Sequence, residues 1–171
     1  MKKFGFLIFL GVLAIGLVAA IASPFGKLGS SNFAFHFGGV KGSGNVISDH
    51  RDVRGFHGIE VGNAIQVDVV AQGDYSMEVE ADDNIVPLIR TEVGGGILRI
   101  SCEKSISKSS QIRIRISAPD IDSLDVSGAS NVSVAGIKNS ALSVESSGAS
   151  KVRIDGETSK LTVDISGASK V

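Results

Sequence analysis

The tetrapeptide Ser127-Gly128-Ala129-Ser130 recurs as Ser147-Gly148-Ala149-Ser150 and as Ser166-Gly167-Ala168-Ser169, at spacings of 20 and 19 residues. The flanks repeat with it. Counted from the first serine of each motif, position −3 is Leu124, Val144 or Val163; position +5 is Val132, Val152 or Val171; and +7 is Val134 or Ile154. Glycine stands at +9 in Gly136 and Gly156, and the one-residue difference in spacing falls after it. A unit this short, with two strands and two tight turns, cannot bury its own apolar positions, so it must stack on copies of itself. Stacked about 4.8 Å apart in parallel, such units form inward aliphatic ladders at −3, +5 and +7. Glycine at the second motif position supplies a corner with positive φ, and the serine hydroxyls reach neighbouring backbone groups. The expectation is an all-β chain folded as a parallel β-helix-like solenoid with about 20-residue coils. A leucine-rich repeat is excluded, since its several leucines and asparagine ladder are absent. An antiparallel sandwich is the alternative.

Upstream of the repeats, Ile65, Val67 and Val69 alternate with polar residues, as do Tyr75, Met77 and Val79, and Ile112, Ile114 and Ile116. Period two over such runs marks half-buried strands. Gly73-Asp74 and Gly94-Gly95-Gly96 punctuate them. One short helix is expected, bearing Ile85, Leu88 and Ile89, capped by Asp82 or Asp83, with Pro87 in its first turn.

The segments Gly42-Ser43-Gly44-Asn45, Arg51-Asp52-Val53-Arg54-Gly55-Phe56-His57-Gly58-Ile59 and Val79-Glu80-Ala81-Asp82-Asp83-Asn84, followed by the Ser-Gly-Ala-Ser repeats, carry a family likeness. Together they resemble the putative auto-transporter adhesin, head GIN domain family of exported bacterial proteins, over residues 42–171. The resemblance implies a β-solenoid-like domain on the envelope side of the membrane, with no established activity and no binding residues to carry over. Members of that family usually have further repeats, whereas this sequence stops at Val171, midway through a coil.

The N-terminus reads differently. After Met1-Lys2-Lys3, Phe4 to Ala22 runs 19 residues without a charge. That length suits one membrane-spanning apolar helix, and the preceding lysines place the N-terminus in the cytoplasm and the rest outside. Ala20-Ile21-Ala22 is also a small-x-small site at which a signal peptide is cleaved. Residues 1–22 are therefore an anchor or a signal, the alternative being secretion after cleavage near Ala22. Residues 23–41 form a Gly/Ser/Phe-rich tether containing Phe33-Ala34-Phe35-His36-Phe37, and residues 42–171 form the domain.

The residues that carry chemistry do not group. His36 lies in the tether, and His50 and His57 have no cysteine or carboxylate at metal-ligand spacing. Cys102, the single cysteine, falls within the strand-like alternation Ile97 to Cys102 and has no partner for an internal disulfide. Ser101-x-x-Lys104 and Ser105-x-x-Lys108 match the Ser-x-x-Lys pattern of penicillin-recognising enzymes without its helix or companion motifs. Gly42-x-Gly44 lacks the third glycine of a dinucleotide loop. Asp82-Asp83-Asn84 and Asp120-x-Asp122 offer oxygen ligands without a calcium-binding loop around them, so a helix cap and a turn are their expected roles. Arg113 and Arg115 share one outward, solvated face.

No catalytic, cofactor-binding or metal-binding residue is expected, and the chain is not expected to be an enzyme. Without Lys2 and Lys3, 15 basic residues face 18 acidic ones, a net charge of −3. That balance excludes a generic nucleic-acid binder. The expected function is a membrane-anchored envelope module of binding or adhesion type, with a glycan or an envelope protein as partner and the membrane engaged through residues 4–22. A structural or assembly element is the alternative, and a carbohydrate-active β-helix enzyme comes last. The repeats contain no aromatic residue on which a sugar ring stacks.

Overall fold

Alternating aliphatic and polar residues set the architecture, because a strand with one apolar face is stable only when that face is covered. The computed structural model of the protein describes residues 39–107 and 110–171. Their strands are β1 (Val46–His50), β2 (Gly58–Val61), β3 (Gln66–Ala71), β4 (Ser76–Asp82), β5 (Ile89–Gly94) and β6 (Ile97–Cys102). There follow β7 (Arg113–Ala118), β8 (Ser123–Val126), β9 (Asn131–Asn139), β10 (Leu142–Ser146), β11 (Lys151–Thr158) and β12 (Leu161–Ile165). They make two six-stranded sheets, ordered β1-β4-β7-β3-β9-β11 and β12-β10-β8-β2-β6-β5.

Register places like residues above one another. In the second sheet Leu98, Ile59, Leu124 and Val144 lie side by side on β6, β2, β8 and β10. In the first, Ile114, Val67, Val132 and Val152 do the same on β7, β3, β9 and β11. All eight are buried in one apolar cluster shared by the two sheets. Fully burying a Val, Leu or Ile side chain contributes about 1.5–3 kcal/mol, so these two ladders supply a substantial share of the stability of the core. Phe56 and Tyr75 close the cluster, with ring centroids 5.1 Å apart, and the Tyr75 hydroxyl donates to the Phe56 carbonyl at 3.0 Å.

The uniform parallel solenoid expected from the repeats is not what forms. The chain is all-β, but both sheets are mixed: β1 and β7 pair antiparallel with β4, and β5 pairs antiparallel with β6. A solenoid stacks its coils in chain order, whereas here β2 and β3 lie between β6/β7 on one side and β8/β9 on the other. The cause is local. The tight turn at Gly95-Gly96, both with positive φ, folds β5 back on β6 as a hairpin, which a parallel coil cannot contain. The repeats themselves pair in parallel, Val152 with Val132 and Val163 with Val144, but they form only part of each sheet.

The short helix expected after Asp82 also needs correction. The segment after Asp82 makes only a 3₁₀ turn, Val86–Leu88, whose first residue takes no side-chain cap. Ile85 and Ile89 on either side of it are buried, so packing against the core holds the segment where a cap was expected. The expected N-terminal apolar helix at 4–22, the tether up to residue 38 with His36, and Lys108 lie outside the described residues. Among the described residues no α-helix occurs, and no helix is long and apolar enough to cross a membrane.

Candidate binding face

The two sheets present different outer faces. On the first, charges of both signs are paired. Arg115 on β7 donates to Glu78 and to Glu80 of β4, both at 2.9 Å, and Arg113 lies 4.0 Å from Asp68 on β3. The Glu78 carboxyl is held below its ordinary range, chiefly by the Arg115 hydrogen bond and then by Ser48. This is the solvated face expected for Arg113 and Arg115, with its charges internally balanced.

The outer face of the second sheet is not balanced. Register sets Glu60 of β2 beside Asp125 of β8, Asp125 beside Glu145 of β10, and Glu145 beside Asp164 of β12. Four carboxylates thus stand in one row, one per strand, at the inter-strand spacing of about 4.8 Å. Arg99 of β6 closes the row, its Nε 3.0 Å from Glu60 Oε2. Burial, and then the charge of Glu60, push the Asp125 carboxyl above its ordinary range. Hydroxyls flank the row on both sides, with Ser123, Ser143 and Thr162 on one and the corner serines Ser127, Ser147 and Ser166 on the other. Like charges directly opposite destabilise a sheet, so nothing in the packing accounts for this row.

The residues singled out in the sequence fall elsewhere. Asp82, Asp83 and Asn84 form a clasp on the Gly42–Asn45 segment. The Gly44 amide donates to Asp82 Oδ1 at 2.9 Å, the Ser43 amide to Asn84 Oδ1 at 3.0 Å, and the Ser43 hydroxyl to Asp83 Oδ1 at 2.6 Å. Asn45 Nδ2 reaches Asp83 Oδ2 at 3.0 Å, and together with Ser43 it holds the Asp83 carboxyl below its ordinary range. A Cβ at Gly42 would collide with the Asp82 carboxylate, which explains the glycine there. These oxygens are occupied by the chain itself.

Asp120 accepts from the Ile121 amide at 2.8 Å, a turn role, while Asp122 pairs with His57 Nδ1 at 2.8 Å. The His57 ring lies against Gly96 on its Nε2 side, and His50 stands on β1 opposite Glu78. Cys102 ends β6 in a buried position, and Ser101 precedes it on the same strand. The structure brings His57 to Asp122 across 65 residues, a pairing that spacing could not show. Among the described residues no group of three or more His, Cys, Asp or Glu converges as metal ligands.

The carboxylate row is not among the residues singled out in the sequence, although the repeat carries a signal for it. Position −2 of the repeat is Asp125, Glu145 or Asp164, acidic each time.

Fold and face are those of a β domain that presents a broad polar surface. The chain belongs to the putative auto-transporter adhesin, head GIN domain family, whose model matches residues 55–171. Comparison with curated proteins gave no match. Among solved structures, a putative adhesin from Bacteroides fragilis NCTC 9343 is similar at 25% identity and a TM-score of 0.70, over 77% of this chain and 63% of that one. A putative adhesin from Parabacteroides merdae ATCC 43184 is similar at 16% identity and a TM-score of 0.64, over 74% of this chain and 55% of that one. A protein from Parabacteroides distasonis ATCC 8503 described as a putative lipid binding protein shares the fold at 18% identity and a TM-score of 0.56, over 70% of this chain and 54% of that one. The chain spans less than two thirds of the length of each of these relatives.

Proposed function

We propose that the chain is a non-enzymatic, adhesion-like module, held at the cell envelope by residues 1–22, which binds a partner protein across the outer face of its second sheet. The observation that carries this reading is the row Glu60, Asp125, Glu145 and Asp164, kept in register against its own repulsion. A basic protein surface compensates such a row, and the flanking hydroxyls supply hydrogen bonds on either side. Membership of the adhesin-like family supports binding as the activity. His57 with Asp122 is the nearest approach to an acid–base pair, and its ring packs on the Gly94–Gly96 turn, which favours a structural role.

The test is binding of the full-length chain to immobilised oligolysine and to neutral glycans across a salt series. Asp125→Asn with Glu145→Gln is expected to weaken oligolysine binding and flatten its salt dependence, while Arg115→Gln on the opposite face leaves both unchanged. Binding indifferent to the Asp125 and Glu145 changes overturns the reading. Retention on neutral glycans alone replaces the protein partner with a carbohydrate one.

A further inference from the structure

Three turns carry the chain from the first sheet to the second: residues 119–122 before β8, 140–141 before β10 and 159–160 before β12. They stand side by side. The Ser143 amide donates to the Asp122 carbonyl and the Leu142 amide to the Lys160 carbonyl, both at 2.9 Å, so the middle turn is tied to each neighbour. The middle turn consists of the small residues Ser140 and Ala141, while its neighbours carry Asp120 and Asp122 on one side and Lys160 on the other. That difference in side-chain length leaves a pocket of about 270 Å³ over the middle turn.

The two sides of the pocket carry opposite charge. Asp122 Oδ1 meets His57 Nδ1 at 2.8 Å, and Asp120 Oδ1 takes the Ile121 amide at 2.8 Å and Asn139 Nδ2 at 3.3 Å. Both bonds to Asp120 fall on Oδ1, and among the described residues Oδ2 accepts none. The Lys160 ammonium has no ion pair among the described residues, although it lines the same pocket as both aspartates. The backbones of the two sides are two inter-strand spacings apart, about 10 Å. Hydroxyls of Ser143 and Thr162 line the space between them.

We propose that this pocket binds a small zwitterion, a free amino acid or dipeptide whose ammonium meets Asp120 and Asp122 and whose carboxylate meets Lys160. Lys160 repels a simple cation and the aspartates repel a simple anion, whereas a dipolar ligand satisfies both sides at once. The size agrees, since pockets for drug-sized ligands run to about 300–1,000 Å³ and this one is smaller. Hydroxyls both donate and accept, which suits the peptide group of a dipeptide. No aromatic side chain lines the pocket, so a sugar ring has no platform on which to stack. None of the four carboxylates of the acidic row lines it either, so this site is independent of the partner reading above.

The test is titration of the isotope-labelled full-length chain, in mild detergent, with zwitterions of graded length: glycine, glycylglycine and 6-aminohexanoate. At least one is expected to shift the Ser140 and Ala141 amide resonances saturably. Blocking either end of that ligand, as its N-acetyl derivative or its C-terminal amide, weakens binding about tenfold or more, because a hydrogen bond to a charged group is lost. Lys160→Gln abolishes the preference for the free carboxylate. Ala141→Leu fills the space over the middle turn and abolishes binding of every form. Failure of all the zwitterions to saturate either resonance at about 100 mM overturns the proposal. So does equal binding of free and blocked forms, or a preference for the free carboxylate that survives Lys160→Gln.

Discussion

Asn63 lies directly beside Gly128 in the stack: the Ala129 amide donates to the Asn63 carbonyl at 2.7 Å, and both residues are left-handed, with φ of 70° and 76°. The Ala149 amide bonds the Gly128 carbonyl, and the Ala168 amide the Gly148 carbonyl, at the same distance of 2.7 Å. Gly62-Asn63-Ala64-Ile65 is therefore a fourth corner of the same kind, with asparagine in the place of glycine. Asparagine tolerates this backbone better than other residues with a Cβ. Here its side chain also accepts the Cys102 amide at 3.0 Å, tying the corner to β6 on its other side.

Asn63→Ala removes that acceptor and puts an ill-suited residue in the left-handed region, which together cost about 2–3 kcal/mol. Asn63→Gly loses only the hydrogen bond and costs about 1 kcal/mol. Gly148→Ala adds a steric fault, because a Cβ there would lie 2.5 Å from the Gly128 carbonyl oxygen. It should be at least as damaging as Asn63→Ala. Urea melts of the three variants check the order.

The disguise of this corner explains much of what the sequence did and did not disclose. The strands and buried positions from Leu124 to Val152 were legible because three copies of one motif fixed their phase. The copy at Ile59–Val69 was not, since asparagine replaces the glycine and Ile65 replaces the second serine. The antiparallel excursion β4–β6 was illegible for another reason. Parallel and antiparallel strands with one buried face share the same period-two alternation, so periodicity cannot tell Met77–Val79 from Val132–Val134. The clasp between Asp82–Asn84 and Gly42–Asn45 joins residues about forty apart, and nothing in either segment announces the other.

Val152, 3% exposed between Val132 and the chain's end, is the sharpest probe of the inward ladder. Val152→Asp strands a carboxylate in the core and should cost several kcal/mol, comparable to the whole stability of a small domain. Lys151→Asp, one residue earlier and exposed, should cost less than about 0.5 kcal/mol. Equal tolerance in guanidinium melts would contradict the inside–outside assignment of β11.

Arg51 reaches from just beyond β1 into the opposite sheet. Its Nη1 donates to the Ile89 carbonyl at 2.7 Å and to Thr91 Oγ1 at 3.0 Å, Nη2 donates to the Val86 carbonyl at 3.2 Å, and Asp49 lies 3.0 Å from Nε. Arg51→Ala leaves these acceptors without their donor and should cost about 2–4 kcal/mol. Arg51→Lys should recover part of this, since one ammonium cannot span a forked set of acceptors. Hydrogen exchange at Ile89 and Thr91 should rise first in both variants.

The two perturbed aspartates act in opposite directions with pH. Asp125 is raised by burial and by Glu60, so its ionised form disfavours the folded state above the folded pKa, and the penalty is relieved as pH falls toward the unfolded value. Asp125→Asn should therefore stabilise at pH 7, with a gain that shrinks at acid pH and in high salt. Asp83 is lowered by Asn45 and Ser43, so its contribution is present above the unfolded pKa and lost as pH falls through the folded one. Asp83→Asn should destabilise at pH 7 and converge with the native chain in acid. Denaturant midpoints across pH 2–7 separate the two.

The placement of β2 and β3 inside the stack dictates the order of folding. The Val61 carbonyl accepts from the Ser127 side chain 66 residues further on, and β3 takes β9 on one side and β7 on the other. The oldest layer in the chain thus cannot complete its pairing until residues beyond 130 have been made, and the closing of that long loop precedes any reward from the contacts it permits. Refolding should be slow and set by this single non-local docking, with the last repeats adding afterwards as a quick zipper. Until then β2 and β3 stand as two unpaired edges, the stretch of the polypeptide most in need of a chaperone while the protein is being made.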